Sequence, residues 1–188
     1  MNKYNTILIC GPAGCGKDSL VKSLCDSYPE YFNRVVTATT RPIRENEVDG
    51  IDYKFLSESE FDKTEMVEAT YFNNWGYGTP VESFSQTRCN VLIVTMAGIE
   101  FYKSPSNKCV NILDIYYLDV PDKLRLLRQL NREENPNVKE IVRRFTADQR
   151  DFETLQYFDD IIKLNNETMD DLGTNVSLIK QHYLDKND

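Results

Sequence analysis

A glycine-rich loop near the start of the chain restricts the possible folds more than any other stretch. Residues 11–17 read G-P-A-G-C-G-K, which has the spacing G-x-x-x-x-G-K. Before the loop, residues 4–10 form a short apolar run that is typical of a buried parallel strand. After it, apolar residues at positions 20, 21, 24 and 25 have helical spacing. A strand, a glycine loop and a helix in this order predict an α/β fold with a phosphate-binding loop.

The chemistry of this loop explains why glycine and lysine are needed at this spacing. Glycines let the backbone curl, so that several N–H groups point into one concavity. Those amides, the start of the following helix and the Lys17 ammonium all favour a bound polyphosphate. The alternative is a glycine turn that merely joins a strand to a helix. The lysine and the correct flanking segments favour the phosphate-binding loop.

The residue after the lysine departs from the usual motif. A Ser or Thr normally stands there as a magnesium ligand, whereas this chain has Asp18, with Ser19 one position later. Phosphates repel a carboxylate unless a cation lies between them, and Mg²⁺ commonly uses one or two carboxylates while keeping several waters. We therefore expect Asp18 to hold Mg²⁺, directly or through water. The alternative is that Asp18 only favours the helix N-terminus through the helix dipole.

Size and charge exclude several classes of function. The 188 residues suffice for one domain with inserted subdomains. The net charge of −8 argues against broad nucleic-acid binding, yet six arginines fall within residues 125–150, which indicates a site for small anions. No apolar run approaches the roughly 20 residues that span a membrane. We expect no membrane partner and no nucleic-acid partner.

The start of the chain and its cysteines bear on localisation. The first apolar stretch is too short for a signal peptide. The five cysteines include no C-x-x-C pair, so we expect reduced thiols in a cytoplasmic protein. The single histidine, His182, is expected at the surface, which excludes a histidine-based mechanism.

Strand and helix patterns alternate through the rest of the chain. Buried strands are predicted at 91–96, 110–120 and 161–164, which gives a parallel sheet with helices between its strands. Between residues 36 and 78 several short strands follow one another, which predicts a small inserted sheet. A capping box at Ser57 and Glu60 predicts a helix start. Thr79 followed by Pro80 predicts another.

A group of arginines and tyrosines follows the second strand. Arg41 and Arg44 lie close together, and Tyr53 and Tyr77 follow them. Two guanidinium groups and two phenol hydroxyls can hold one phosphate, although two arginines in a loop are more often simply solvated. Residues 39–55 read T-T-R-P-x-R-x-x-E-V-D-G-x-D-Y-x-F, which closely resembles the signature of the guanylate kinase family. With the glycine loop before it and Y-G-T at 77–79 after it, the resemblance covers nearly the whole chain.

The resemblance implies a fold and an activity. The fold is an α/β P-loop parallel sheet flanked by helices, with an inserted small mixed-β nucleotide-binding subdomain and a helical lid. The expected boundaries are a core at about 1–35, 85–127 and 148–188, a GMP-binding insert at about 36–84 and a lid at about 128–147. The implied reaction transfers the γ-phosphoryl group of ATP to GMP or dGMP, with Mg²⁺ as cofactor. The implied assembly is a monomer or a homodimer.

The resemblance also assigns residues by their positions. The expected ATP-binding residues are Gly11, Pro12, Ala13, Gly14, Cys15, Gly16, Lys17, Asp18, Ser19, Arg128 and Asn165. The expected GMP-binding residues are Thr37, Arg41, Arg44, Tyr53, Glu68, Tyr77, Thr79 and Thr95. The expected catalytic residues are Lys17, Arg132 and Arg144. Arg144 lies in a clean match, R-F-T-A, whereas Arg132 needs one extra residue between the two positions, so Arg128 is its alternative.

Glu68 makes chemical sense at a guanine. Its carboxylate can accept the N1–H and the 2-amino group together, whereas adenine presents a lone pair at N1 and is repelled. Two positions depart from the family, however. Ile93 and Thr95 stand where the family usually has aspartates, one of which helps to hold the guanine 2-amino group. Guanine selection and magnesium binding are therefore less strongly implied than phosphate binding.

Other activities stay open at this stage. The ending G-K-D-S-L of the glycine loop also resembles ribose 1,5-bisphosphate phosphokinase, a family that lacks the long signature at 39–55. A broader-specificity (deoxy)nucleoside monophosphate kinase is a second alternative. A catalytically silent guanylate kinase-like binding module is a third, and the intact Lys17 and lid arginines argue against it.

Overall fold

The computed structural model describes residues 3–45, 47–132 and 134–187. In chain order its strands and helices are β1 (Tyr4–Cys10), α1 (Lys17–Ser27), β2 (Phe32–Arg34), β3 (Ala38–Thr39), β4 (Lys54–Phe55), α2 (Glu58–Lys63), β5 (Met66–Phe72), β6 (Trp75–Pro80), β7 (Cys89–Ile93), α3 (Met96–Lys103), β8 (Val110–Asp119), α4 (Asp122–Leu130), α5 (Val138–Asp151), β9 (Ile161–Asn165) and α6 (Met169–Asp185). Short 3-10 segments occupy Val81–Ser83 and Phe152–Tyr157. Within the described ranges, no helix is long and apolar enough to cross a membrane.

The main sheet has five parallel strands in the order β2-β7-β1-β8-β9. Strand β1 lies at its centre and is buried on both faces, as its continuous apolar run predicts. Ile7 and Ile9 pack in one cluster with residues of α1 and α6. Leu8 and Cys10 face the other side and pack with residues of α3. Each fully buried Leu or Ile side chain contributes about 1.5–3 kcal/mol, so these two layers fix where β1 ends and the glycine loop begins.

A second, smaller sheet has the order β4-β3-β6-β5 and mixes parallel with antiparallel pairs. Its longest pair, β5 and β6, is a hairpin closed between Phe72 and Trp75. The two turn residues, Asn73 and Asn74, have φ values of 50° and 64°, the left-handed conformation that a two-residue hairpin turn requires. The expected combination of a helix-flanked parallel sheet and a small mixed sheet is confirmed.

Some predictions of individual strands and helices are confirmed, and one is wrong. The three buried strands and the capping box from Ser57 to Glu60 are present. The helix start predicted at Thr79 is wrong, because Thr79 and Pro80 are the last residues of β6. The Thr79 hydroxyl donates a hydrogen bond to Glu68 on the neighbouring strand, so it caps no helix. The hydrogen bond to Glu68, 11 residues away on the neighbouring strand, therefore decides the role of Thr79, and the local helix-start pattern does not.

The structure differs from the sequence predictions at one helix and at the histidine. Helix α3, which the sequence patterns did not predict, begins directly after Thr95. His182 was expected at the surface, but it is partly buried, and its Nδ1 lies 2.9 Å from the hydroxyl of the buried Tyr116. It therefore packs as part of α6 against the central sheet. The five cysteines are free thiols.

Candidate functional site

The glycine loop joins the end of β1 to the start of α1, as expected. Its three glycines at 11, 14 and 16 have φ values of 147°, 81° and 94°. A Cβ atom at Gly14 would lie only 2.6 Å from the carbonyl oxygen of Arg125, so α4 could not approach the loop if another residue stood there. Glycine is required at this position both by the backbone conformation and by the close packing of α4.

Side chains from elsewhere in the chain hold the carbonyl groups of this loop. Arg125 donates to the Ala13 oxygen at 3.2 Å, and Arg128 donates to the Gly14 oxygen at 3.3 Å. The amide of Asn166 donates to the Cys15 oxygen at 2.8 Å. Each buried carbonyl needs such a donor. These hydrogen bonds fix the backbone of the loop in its curled conformation.

Asn166 and Arg128 have roles that the sequence did not indicate. Asn166 is buried, whereas the predicted Asn165 beside it is exposed and lies in a small cavity with Asp119 and Lys163. Arg128 also donates to the carbonyl oxygens of Asn166 and Glu167. Its guanidinium therefore fastens the end of β9 to the glycine loop.

Lys17 and Asp18 begin α1 and face different surroundings. The Lys17 ammonium donates to the carbonyl oxygens of Gly11 and Pro12 at 2.7 and 3.1 Å, so it lies over the loop. The Asp18 side chain is 72% exposed, and Arg34 lies 3.5 Å away. Neighbouring Ser19 is also exposed.

A second carboxylate reaches the loop from α5, directly after the predicted lid. Asp148 on α5 accepts a hydrogen bond from the Ala13 N–H at 2.7 Å. Arg125 lies 3.7 Å from the same carboxylate oxygen, so the pair is partly neutralised. This contact spans 135 residues of sequence, and no local motif indicates it.

Arg41 is positioned by a partly buried carboxylate. Its two terminal nitrogens donate to Glu47 at 2.7 and 2.6 Å, and its guanidinium lies 4.9 Å from the centre of the Tyr53 ring. Burial raises the pKa of Glu47, but hydrogen bonds from Arg41 and the Arg44 N–H outweigh that effect and hold it below its usual range. Tyr77 lies beside Tyr53, with ring centres 6.4 Å apart. Arg41 and both predicted tyrosines are therefore brought together.

Arg44 faces the predicted lid across a cavity of about 410 Å³. Its charged lining consists of three arginines, Arg44, Arg132 and Arg144, and three glutamates, Glu45, Glu47 and Glu140. Burial and the positive charges of Arg144 and Arg41 together lower the pKa of Arg44. Cations that crowd one cavity in this way favour a bound anion.

One carboxylate holds the lid arginine in this cavity. Glu140 accepts a hydrogen bond from the Nε of Arg144 at 2.8 Å, and it also pairs with Arg143. The Arg143 hydrogen bond is the main cause that lowers the pKa of Glu140 to about 2, and the Arg144 bond adds to it despite opposing desolvation. Arg144 is therefore oriented by its own helix.

The predicted base-binding residues divide into two groups. Glu68 and Thr79 are paired at 2.7 Å, Thr79 is only 1% exposed, and burial raises the pKa of Glu68. Thr37 is partly buried directly before β3, in the same small sheet. Thr95 differs, because it is exposed and its hydroxyl caps α3 by accepting from the Gly98 N–H at 3.2 Å.

Comparisons with known proteins agree with this geometry. The family model described as guanylate kinase matches residues 3–182. The chain is 29% identical to the guanylate kinase of Sulfurimonas denitrificans over 168 residues, which cover 85% of this chain and 80% of that protein. It is 32% identical to the guanylate kinase of Chlamydia muridarum over 132 residues, covering 65% and 62%. A crystal structure of guanylate kinase from Anaplasma phagocytophilum superposes with a TM-score of 0.60 at 17% identity, covering 96% of this chain and 86% of that one.

The fold and the loop define an α/β protein of the P-loop class. The match over nearly all of the chain places it more narrowly, and the chain belongs to the guanylate kinase family. The family and the fold class expected from the sequence are thus confirmed. The boundaries of core, insert and lid stay predictions, and so do the roles of the individual site residues.

We predict that Glu68→Gln raises the stability of the nucleotide-free protein at pH 8. A raised pKa means that folded Glu68 binds its proton more tightly than unfolded Glu68, so stability falls as pH rises from the unfolded value through the folded one. The glutamine amide does not ionise, so the variant does not lose this stability as the pH rises. A gain of about 1 kcal/mol would raise the melting temperature by about 2–4 °C.

The control for this measurement is Glu65→Gln, since Glu65 is exposed directly before β5. Melting curves are recorded at pH 4 and pH 8 for both variants. The gain should appear for Glu68→Gln at pH 8 and shrink at pH 4. Equal gains in melting temperature in both variants, or a gain for Glu68→Gln that is the same at pH 4 and pH 8, would contradict the assignment of Glu68 as a desolvated carboxylate.

Proposed function

We propose that this protein transfers the γ-phosphoryl group of ATP to GMP or dGMP, giving ADP and GDP or dGDP. The observation that carries the proposal is the cavity in which Arg44 faces Arg144. These arginines come from the predicted acceptor loop and the predicted lid, and phosphoryl transfer needs positive charge between two phosphate groups. Membership of the guanylate kinase family supports the same reaction.

The donor site is the glycine loop. Its amides and the Lys17 ammonium bind the ATP phosphates, because both present positive charge at the start of α1. The remaining residues proposed for ATP are Gly11, Pro12, Ala13, Gly14, Cys15, Gly16, Asp18, Ser19, Arg128 and Asn165. In this proposal Arg128 acts by holding the Gly14 carbonyl, and Asn165 contacts the adenine from its cavity.

The acceptor site is the small sheet and the loop before it. Arg41, Arg44, Tyr53 and Tyr77 hold the phosphate of the monophosphate, and Glu47 keeps the Arg41 guanidinium in place. The residues proposed for the guanine are Thr37, Glu68, Thr79 and Thr95. Of these, Glu68 selects the base, since only a carboxylate accepts the N1–H and the 2-amino group together.

The transfer itself needs positioning and charge rather than a proton acceptor, because the attacking phosphate is already an anion. Arg144 and Arg132 stabilise the transferring group when the lid closes, and closure excludes the water that would otherwise hydrolyse ATP. Arg132 is preferred to Arg128 as the second lid arginine. The terminal nitrogens of Arg128 are engaged by three backbone carbonyls, whereas Arg132 lines the cavity.

The residues at the start of α1 fit a magnesium ion that is held largely through water. Asp18 is an exposed carboxylate next to Lys17, and Mg²⁺ in nucleotide sites commonly uses one carboxylate together with phosphates and waters. Across the described residues no cluster of three or more His, Cys, Asp or Glu side chains forms a full cage. When bound with ATP, the ion would neutralise phosphate charge, and Asp18 would orient its waters.

A coupled assay with ATP tests the proposed reaction directly. The acceptors are GMP, dGMP, AMP, UMP, TMP and ribose 1,5-bisphosphate at equal concentration. We expect GMP or dGMP to exceed AMP by about ten- to a hundredfold in kcat/KM, since one hydrogen bond to a charged group is worth about 1.5–3 kcal/mol. Preference for ribose 1,5-bisphosphate, equal use of all nucleotides, or no turnover at all would each contradict the proposal.

A magnesium titration tests the role of Asp18. We expect Asp18→Ala to raise the magnesium concentration for half-maximal activity by about threefold or more, since a charged ligand to the hydrated ion is lost. Asp26→Ala is the matched control, because Asp26 is a similarly exposed carboxylate on the same helix. A curve that stays in place for Asp18→Ala would leave this residue with only its effect on the helix dipole.

A further inference from the structure

Tyr102 is a buried tyrosine whose hydroxyl lies close to Thr79 but makes no well-formed hydrogen bond within the described part of the chain. It lies in α3, is only 2% exposed and packs in an apolar cluster with Val35, Val67 and Ile99. A poorly paired buried hydroxyl weakens the folded state, and phenylalanine would fill the same space without that cost. A function of the hydroxyl would explain why tyrosine rather than phenylalanine stands at this position.

The buried Thr79 and the partly buried Glu68 lie close to this hydroxyl. Burial is the main cause that raises the pKa of Tyr102, a weak hydrogen bond with the nearby Thr79 hydroxyl lowers it, and the Glu68 charge raises it further. Thr79 is itself almost fully buried, and its hydroxyl hydrogen is used on Glu68 at 2.7 Å. The Thr79 oxygen still has lone pairs with which it can accept a hydrogen bond. Three side chains, from α3, β5 and β6, thus form one polar cluster beside an apolar core.

We propose that the Tyr102 oxygen accepts a hydrogen bond from the 2-amino group of guanine and so contributes to base selection. The 2-amino group carries two hydrogens. Glu68 accepts one of them together with the N1–H, which leaves the second without an acceptor on Glu68. When guanine is bound, Tyr102 accepts that second hydrogen while its own O–H turns to donate to the Thr79 oxygen. This inference rests on the proposed function, because it concerns the same base-binding site.

The position of Tyr102 on α3 is consistent with this role. It follows Thr95 by seven residues, so it lies near the same face of the helix, and long side chains on a helix lean toward its N-terminus. Thr95 is poorly suited to accept the amino group, because its oxygen already accepts from Gly98 and the residue is exposed. On this helix, the buried Tyr102 is therefore better placed than Thr95 to accept a hydrogen bond from the 2-amino group.

The test compares GMP with IMP, which lacks only the 2-amino group. For Tyr102→Phe we expect kcat/KM for GMP to fall about three- to tenfold, the effect of one neutral hydrogen bond, while kcat/KM for IMP stays within about twofold. The matched control is Tyr116→Phe, which removes a buried hydroxyl that lies beside His182 in the core. Its GMP to IMP ratio should equal that of the wild type.

Calorimetric binding of GMP and IMP, and melting of the nucleotide-free protein, complete the test. In the nucleotide-free protein, Tyr102→Phe should melt at the same temperature as the wild type or higher, because a poorly paired buried hydroxyl is removed. An unchanged GMP to IMP ratio, or equal losses for both nucleotides, would overturn the inference and leave Tyr102 a packing residue. Wild-type protein that neither binds nor phosphorylates GMP would instead refute the proposed function itself.

Discussion

The site depends above all on how the carbonyl groups of the glycine loop are satisfied. A loop that presents its N–H groups to phosphates must turn its carbonyl oxygens elsewhere, and those oxygens need donors. Here Arg125 and Arg128 of α4 and Asn166 after β9 supply them. The parallel order of β1, β8 and β9 brings these segments to the same end of the sheet. The central sheet, the close approach of α4 at Gly14 and the phosphate site therefore depend on one another.

Two of the arginines proposed to bind phosphate are each paired with a carboxylate. Arg41 is held by Glu47, and Arg144 is held by Glu140. These carboxylates fix the direction of each guanidinium before any phosphate arrives, which lowers the cost of ordering it during binding. The cavity at the predicted lid accordingly contains three arginines and three glutamates, so a chain with a net charge of −8 can hold several arginines close together.

The sequence predicted those parts of the site that rest on contiguous motifs. The glycine loop between β1 and α1, and the stretch from Arg41 to Tyr53, combine residue type with fixed spacing. The sequence failed where a distant partner decides the structure. Thr79 was mistaken for a helix cap because its partner Glu68 lies on the neighbouring strand. Asn166, Asp148 and Tyr102 carried no local signal, since their roles come from contacts across the fold.

The most direct test of this account is calorimetric binding of ATP to Lys17→Ala. If the glycine loop and its lysine form the donor site, ATP affinity should fall at least about tenfold, because charge-assisted contacts to the phosphates are lost. GMP affinity should stay within about twofold, since the acceptor residues belong to the other sheet and its loops. A variant that binds ATP as tightly as the wild type would contradict the assignment of this loop, and with it the arrangement of the whole site.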